Sequence, residues 1–358
     1  MFLRLLGSNG ARAALGAALL FGCTNEVVTL DPRGGSSAQA IVDGEPSDER
    51  DDAVVMLLSS PPDTGEQACT GTLVAPNLVL TALHCVAYYT GGAFSCKSDG
   101  SLSTNIPGNG EIGAPADPAK IEVYSGVVPN EGEPVAYGAA VFGTGAPTIC
   151  RNDFAAVVLD RALDLPIAPI RLERTVERAE RMLVVGYGMT EEGTLGERRR
   201  RSGVLVSDVG PASDASPTGT AAPRTFVLTE GACFGDSGGP AFSEETGALT
   251  GVYSLAAGMS CTAPNVRNVY TRIAPFRDLI LKAFEAAGAE PELEPPDPDP
   301  PDPPDPTDPD PIGGSGSRED PSCACRVAGG QRSGALAVLF AGLLGAAFAA
   351  RRFARLRA

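Results

Sequence analysis

The sequence predicts an all-β domain over residues 41–288. Two observations carry this prediction. Short apolar runs rich in Val, Leu and Thr recur between Gly, Pro and Asp breaks, and long stretches of helical periodicity are scarce. The first 40 and last 70 residues read instead as targeting and tether segments. What remains suits one large or two small β domains sharing a core.

The strand-like runs are residues 53–59, 69–75, 78–83, 121–125, 154–159, 182–185, 204–207, 225–229, 249–254 and 268–273. Breaks between them are short except at 86–120, a polar, Gly-rich insertion containing Cys96. After Pro275, residues Phe276, Leu279, Ile280, Ala283 and Phe284 share one face at helical spacing, which predicts a terminal helix packed on the β core. Arg198, Arg199, Arg200 and Arg201 form a run of four cations, read as a solvated loop face.

The ends are distinct. Residues 1–23 carry Arg4 and Arg12, an apolar run and then Cys23, the pattern of a signal peptide with a lipidated cysteine. Residues 24–40 read as a flexible spacer or propeptide. Residues 290–311 hold 11 Pro and 9 Asp or Glu, so 289–321 is expected to be an extended acidic linker. Residues 322–358 contain Cys323 and Cys325, the apolar stretch 334–350 and four terminal arginines. That stretch is at the short limit of a spanning helix, and the arginines would keep its end cytoplasmic.

The formal charge is −16, which argues against a nucleic-acid partner. Residues 41–289 are themselves acidic, with 18 Lys and Arg against 31 Asp and Glu. Of the nine cysteines, six lie in the predicted domain: Cys69, Cys85, Cys96, Cys150, Cys233 and Cys261. An even number behind an export signal implies disulfides and an oxidising compartment, with the pairing left open.

Three local strings carry chemistry. The first is Gly235-Asp236-Ser237-Gly238-Gly239-Pro240. A serine hydroxyl is a weak nucleophile that needs a base and donors for the developing oxyanion. Flanking glycines permit a tight turn that exposes it. The second is Thr81-Ala82-Leu83-His84-Cys85, containing the only histidine of the chain. An imidazole is the usual general base near neutral pH. In the third, Asp153 enters the apolar run 154–159, and such a carboxylate is costly to bury unless a partner uses its charge.

In the order His, Asp, Ser these strings resemble the trypsin/chymotrypsin family of serine proteases, the source of the general triad template. The resemblance spans roughly residues 41–285. It implies two six-stranded antiparallel β-barrels with the site between them and a C-terminal helix. His84 becomes general base then acid, Asp153 its orienter and Ser237 the nucleophile, with an oxyanion hole from the N–H groups of Gly235 and Ser237. Ile41 matches the family's mature N-terminus, freed by an activating protease and paired with Asp236. Gly231, Ser254, Leu255, Ala256 and Asn268 fall at substrate-binding positions, and a neutral Gly231 predicts cleavage after small or medium uncharged residues. Glu230 is the nearest residue that a one-position shift would bring inward. The family bridges Cys69–Cys85 and Cys233–Cys261 leave Cys96 with Cys150. The C-terminal 35 or so residues resemble a myxobacterial sorting signal, which implies a tail-processing membrane protease.

The function expected is therefore an exported serine endopeptidase acting on protein or peptide substrates. It would be made as a zymogen and held at the cell surface or outer membrane by an N-terminal lipid, a C-terminal helix or both, unless released. This chemistry calls for no cofactor and no metal. The rival reading is an inactive, tethered binding or adhesion module on the same fold.

Overall fold

The computed structural model describes residues 41–295 apart from 63–64, 131, 189–195, 213–220, 230 and 258–265. The expectations for the signal peptide, spacer, Cys23, Cys261, Cys323, Cys325, Glu230 and most of the linker fall outside the described residues. So does the apolar stretch 334–350. Among the described residues no helix is long and apolar enough to cross a membrane.

Each of the ten predicted runs overlaps a strand, the run 78–83 passing at Leu83 into a 3₁₀ turn, and the all-β class with two barrels is what folds. The first barrel comprises β1 (Val54–Ser59), β2 (Gln67–Ala75), β3 (Leu78–Thr81), β4 (Ile121–Tyr124), β5 (Ala136–Gly143) and β6 (Ala155–Leu159). It closes in the order β5-β6-β3-β2-β1-β4, every pair antiparallel. The continuous apolar run of β1 follows from burial on both faces. Val55 and Leu57 point to a cluster with Leu73, Val79 and Val157, whereas Val54, Met56 and Leu58 join a second cluster with Phe242, Leu249 and Val252. That second cluster ties the two halves together.

The second barrel comprises β7 (Arg181–Gly186), β8 (Arg199–Val209), β9 (Thr225–Leu228), β10 (Pro240–Ser243), β11 (Leu249–Ala257) and β12 (Arg267–Arg272). Its order is β8-β7-β10-β11-β12-β9, closed by a β8–β9 pairing. Phe226, Tyr253 and Tyr270 fill its centre, with ring centroids 5.3–5.4 Å apart. The terminal helix α2 (Arg277–Ala287) follows the short α1 (Ile149–Asn152). It buries Ile280, Ala283 and Phe284 and ends at Gly288, whose φ of 66° suits glycine.

Four local expectations need correction. The arginine run is not a solvated loop: it opens β8, and Arg198 is fully buried. Arg198 Nε donates to Ser47 Oγ at 2.9 Å, and its Nη2 donates to Asp52 Oδ1 and Asp48 O, each at 2.6 Å. Arg200 reaches Asp51 at 3.2 Å, and Arg199 and Arg201 donate to the carbonyls of Gly44 and Val42. The run thus binds the acidic segment 42–52, which also adds the two-residue strand Glu45–Pro46 to β8. Second, the insertion 86–120 is ordered into two small hairpins, Ala87–Tyr89 with Ile112–Pro115 and Ser95–Cys96 with Leu102–Ser103. Third, the domain runs past 288. Leu293 bridges Ile170, and Glu294 is held by Arg171 at 2.6 Å and Arg174 at 3.2 Å, so the first residues of the expected linker are packed. Fourth, β5 and β10 are strands that the apolar runs did not predict.

Candidate active site

The site lies where the barrels meet. His84 follows β3 in a single 3₁₀ turn (Leu83–Cys85), and Asp153 stands just before β6, so the β3–β6 pairing brings them together. His84 Nδ1 lies 2.7 Å from Asp153 Oδ2, and the backbone N–H of His84 donates to Oδ1 at 2.9 Å. Asp153 is fully buried, so its carboxylate must be satisfied internally. Ser254, from β11 of the other barrel, completes it by donating from Oγ to Oδ2 at 2.6 Å. With Nδ1 committed to the carboxylate, the other ring nitrogen, Nε2, lies 3.9 Å from Cys85 Sγ.

Ser237 sits in the turn leading into β10, and the turn is fixed from both sides. Thr70 N–H donates to Ser237 O at 2.7 Å, and Thr70 Oγ1 to Gly235 O at 3.1 Å. Gly238 N–H donates to Tyr253 O, and Tyr253 N–H to Gly239 O, both at 2.8 Å. Gly238 has φ 78°, and a Cβ there would lie 2.0 Å from Thr81 Oγ1. Only glycine fits so close to the first barrel. Among the described residues, neither the Gly235 nor the Ser237 N–H has an intramolecular acceptor.

Asp236, beside the serine, points the opposite way into the protein. Its carboxyl accepts from Ile41 N at 3.0 Å, Cys233 N at 2.8 Å and Gly188 N at 2.8 Å. Gly186 leaves the room for it, since a Cβ there would lie 2.2 Å from Oδ1. Burial outweighs the three donors and pushes the Asp236 carboxyl up to about 7. Ile41 itself adopts φ 45°, a region that β-branched residues avoid.

A cleft of about 260 Å³ brings His84 and Ser237 together with Tyr253, Ser254, Leu255 and Ala256. Gly231 and Asn268 are buried and are not among its lining residues. Asn268 is the direct cross-strand neighbour of Ala256, and among the described residues neither of its amide atoms has a hydrogen-bond partner. Gly231 has φ 126° with Val184 and Val204 against it. A second groove of about 490 Å³ continues from the cleft under the insertion, sharing Phe94, Leu255 and Ala256 and reaching Cys96 and Cys150.

Cys69 is bonded to Cys85 and Cys96 to Cys150, while Cys233 is also in a disulfide. The first bridge accounts for the close grouping of Cys69, His84 and Cys85, whose sulfurs are thereby unavailable to a metal.

The sequence reading missed three features. The Ser254 bond to Asp153 was hidden behind the expected substrate-binding role, although a serine inside a buried apolar strand signals a polar partner. Tyr89 places its ring 5.1 Å from the His84 ring, and burial together with Asp153 pushes its phenol well above the ordinary value. Phe234 stands exposed at the cleft, which no sequence pattern marked.

Known proteins bear on this geometry. The family model for trypsin matches residues 41–280. A trypsin from Saccharopolyspora erythraea is 27% identical over 259 residues, covering 69% of this chain and 99% of that protein. Chymotrypsin-C from Bos taurus is 26% identical, covering 61% of this chain and 78% of its own length. Among solved structures, HL collagenase matches with TM-score 0.51 and 22% identity over 69% of this chain and 99% of its own, a likeness of fold. The family match runs through both barrels and into the terminal helix, and the chain belongs to the trypsin family of serine endopeptidases.

Proposed function

We propose that this chain cleaves proteins or peptides through a triad of His84, Asp153 and Ser237. The observation that carries the reading is the buried array Ser254–Asp153–His84 opening onto the same cleft as Ser237. Asp153 holds the imidazole with Nδ1 protonated, so Nε2 accepts the Ser237 proton as Oγ attacks the scissile carbonyl. The unused N–H groups of Gly235 and Ser237 stabilise the oxyanion. The imidazolium returns its proton to the leaving amine, the acyl-enzyme forms, and water reverses the sequence. Leu255 and Ala256 hold the substrate backbone, and the groove beneath the insertion receives more distant residues.

Activation follows from the other face of the serine turn. Cleavage before Ile41 converts its N–H into an α-ammonium beside the Asp236 carboxylate, an ion pair that offsets the burial of that charge. The Arg198, Arg199, Arg200 and Arg201 contacts hold segment 42–52 in place for this. The preference for small or medium uncharged side chains before the scissile bond rests on the sequence position of Gly231, which carries no charge, and not on a contact with the cleft. The disulfides support export to an oxidising compartment, and surface tethering rests on the terminal segments.

A serine-directed phosphonate probe tests the reading. Chain with a free Ile41 should label at Ser237, and His84→Ala or Ser237→Ala should abolish both labelling and peptide hydrolysis while circular dichroism stays unchanged. Near-native turnover in either variant overturns the triad. A substrate panel varied only before the scissile bond tests specificity, and strong Arg or Lys preference refutes it.

A further inference from the structure

The insertion 86–120 contributes no strand to either barrel, yet it touches both His84 and the approach to Asp153. Its strand Ala87–Tyr89 pairs with Ile112–Pro115, and Tyr89 stands opposite Ile112. Just beyond Tyr89, Thr90 N–H donates to Glu111 O at 3.2 Å and Gly110 N–H to Thr90 O at 2.7 Å. The same hairpin holds the segment that leads to Asp153. Ile149 N–H donates to Gly110 O at 3.1 Å, and Ile112 N–H to Pro147 O at 2.9 Å. The Cys96–Cys150 disulfide ties the insertion covalently to α1, whose last residue, Asn152, precedes Asp153. Tyr89 and the approach to Asp153 are therefore fixed in one frame.

The Tyr89 ring centroid lies 5.1 Å from that of His84, with the planes tilted by 53°. Both residues line the cleft, and Tyr89 is half-buried. Burial and the charge of Asp153 push the Tyr89 phenol well above its ordinary value. It stays neutral near pH 7 and exchanges no proton there. What the side chain offers His84 is a ring. Such a ring excludes water from part of the imidazole, and the contact is within the roughly 6 Å over which an aromatic face attracts a cation. Less water beside the 2.7 Å contact between Nδ1 and Asp153 also strengthens the attraction between an imidazolium and that carboxylate.

We propose that Tyr89 is a positioning residue for His84: anchored by the insertion hairpin, its ring fixes the imidazole against Asp153 and keeps water from the bond between them. The proposal rests on the triad reading and adds to it the work of a segment outside both barrels. Small displacements of a catalytic group are costly, so a side chain that removes one degree of freedom from the imidazole acts on turnover more than on substrate affinity.

His84 is the only histidine of the chain, so a single imidazole reports on the contact. Untagged full-length Ser237→Ala chain, used to prevent self-digestion and carrying isotopically labelled histidine, should show one hydrogen-bonded Nδ1 proton by NMR. Tyr89→Leu should speed exchange of that proton with water at least about tenfold, and Tyr89→Phe, which keeps the ring, should retain most of the protection. In the Ser237 chain with a free Ile41, Tyr89→Leu should lower kcat by about ten- to hundredfold with KM little changed. Tyr89→Phe should recover most of that loss. Absence of the Nδ1 resonance in the parent overturns the triad reading and this proposal together. With the resonance present, parental exchange or parental kcat in Tyr89→Leu overturns the proposal alone. A raised KM at unchanged kcat does the same, because Tyr89 would then be a substrate contact. If circular dichroism shows that Tyr89→Leu does not fold, Tyr89→Met, which keeps apolar bulk without a ring, is read by the same two measurements.

Discussion

In the uncleaved chain the Asp236 carboxyl is buried against three neutral N–H donors, and this gives its stability a pH dependence that is open to measurement. Burial raises the carboxyl from its ordinary 3.8 to about 7. Between those values the folded chain holds a proton that the unfolded chain has released, so stability falls as pH rises. Above about 7 both states are ionised and the loss is complete. The difference corresponds to about 4 kcal/mol at 1.36 kcal/mol per pH unit. Ser237→Ala chain retaining residues 24–40 would be unfolded in urea at pH 4.5, 5.5, 6.5 and 7.5, beside the same chain carrying Asp236→Asn. Only the parent can lose this proton, so its midpoint relative to Asp236→Asn should fall by about 1–2 M urea across the series, given an m-value of about 2–3 kcal/mol/M. Cleavage before Ile41 should remove much of the fall, because an α-ammonium then favours the ionised carboxylate. Parallel curves for the two uncleaved chains would refute the reasoning.

Three further outcomes follow from single contacts. Ser254→Ala removes a donor from the buried Asp153 carboxylate, a charge-assisted bond worth about 1.5–3 kcal/mol. It should lower kcat/KM by roughly tenfold or more in steady-state hydrolysis, with Ser254→Thr recovering part of the loss. Gly238→Ala places a Cβ 2.0 Å from Thr81 Oγ1 and 2.3 Å from Thr70 O, and should yield misfolded or inactive protein by gel filtration and probe labelling. Replacing Cys96 and Cys150 together by Ala opens a loop of 54 residues, with an expected loss of about 2–4 kcal/mol measured by denaturant unfolding.

How far the fold was legible depended on burial. β1 and β6 announced themselves because strands buried on both faces are apolar almost throughout. β5 did not, because Ala136, Gly138, Ala139 and Ala140 are too small to mark a period. β10 was hidden by its Pro240 start and its proximity to the serine turn. β8 was misread at its beginning for a physical reason. Four adjacent arginines suggest solvent, yet here Arg198 pairs with Asp52 and Arg200 with Asp51 in a segment some 150 residues earlier, a pairing that no local window contains. The triad candidates were legible because each sits in a local string whose chemistry is unusual. The Ser254–Asp153 bond and the Tyr89–His84 contact depend on how the barrels and the insertion are placed, so they emerged only in three dimensions.

The left-handed conformation of Ile41 carries a thermodynamic direction. The torsion φ is measured from the carbonyl carbon of the preceding residue, so it exists only while residue 40 remains attached. A β-branched residue held at φ 45° stores about 1–3 kcal/mol. Hydrolysis before Ile41 does not rotate this torsion into a better well; it deletes the coordinate along which the energy was held. Resealing the bond in place would have to recreate the strain, which lowers the religation equilibrium by about 5- to 150-fold relative to an unstrained junction. A cut at this position would therefore be harder to reseal than one at an unstrained junction, in addition to any pairing of the new terminus with Asp236.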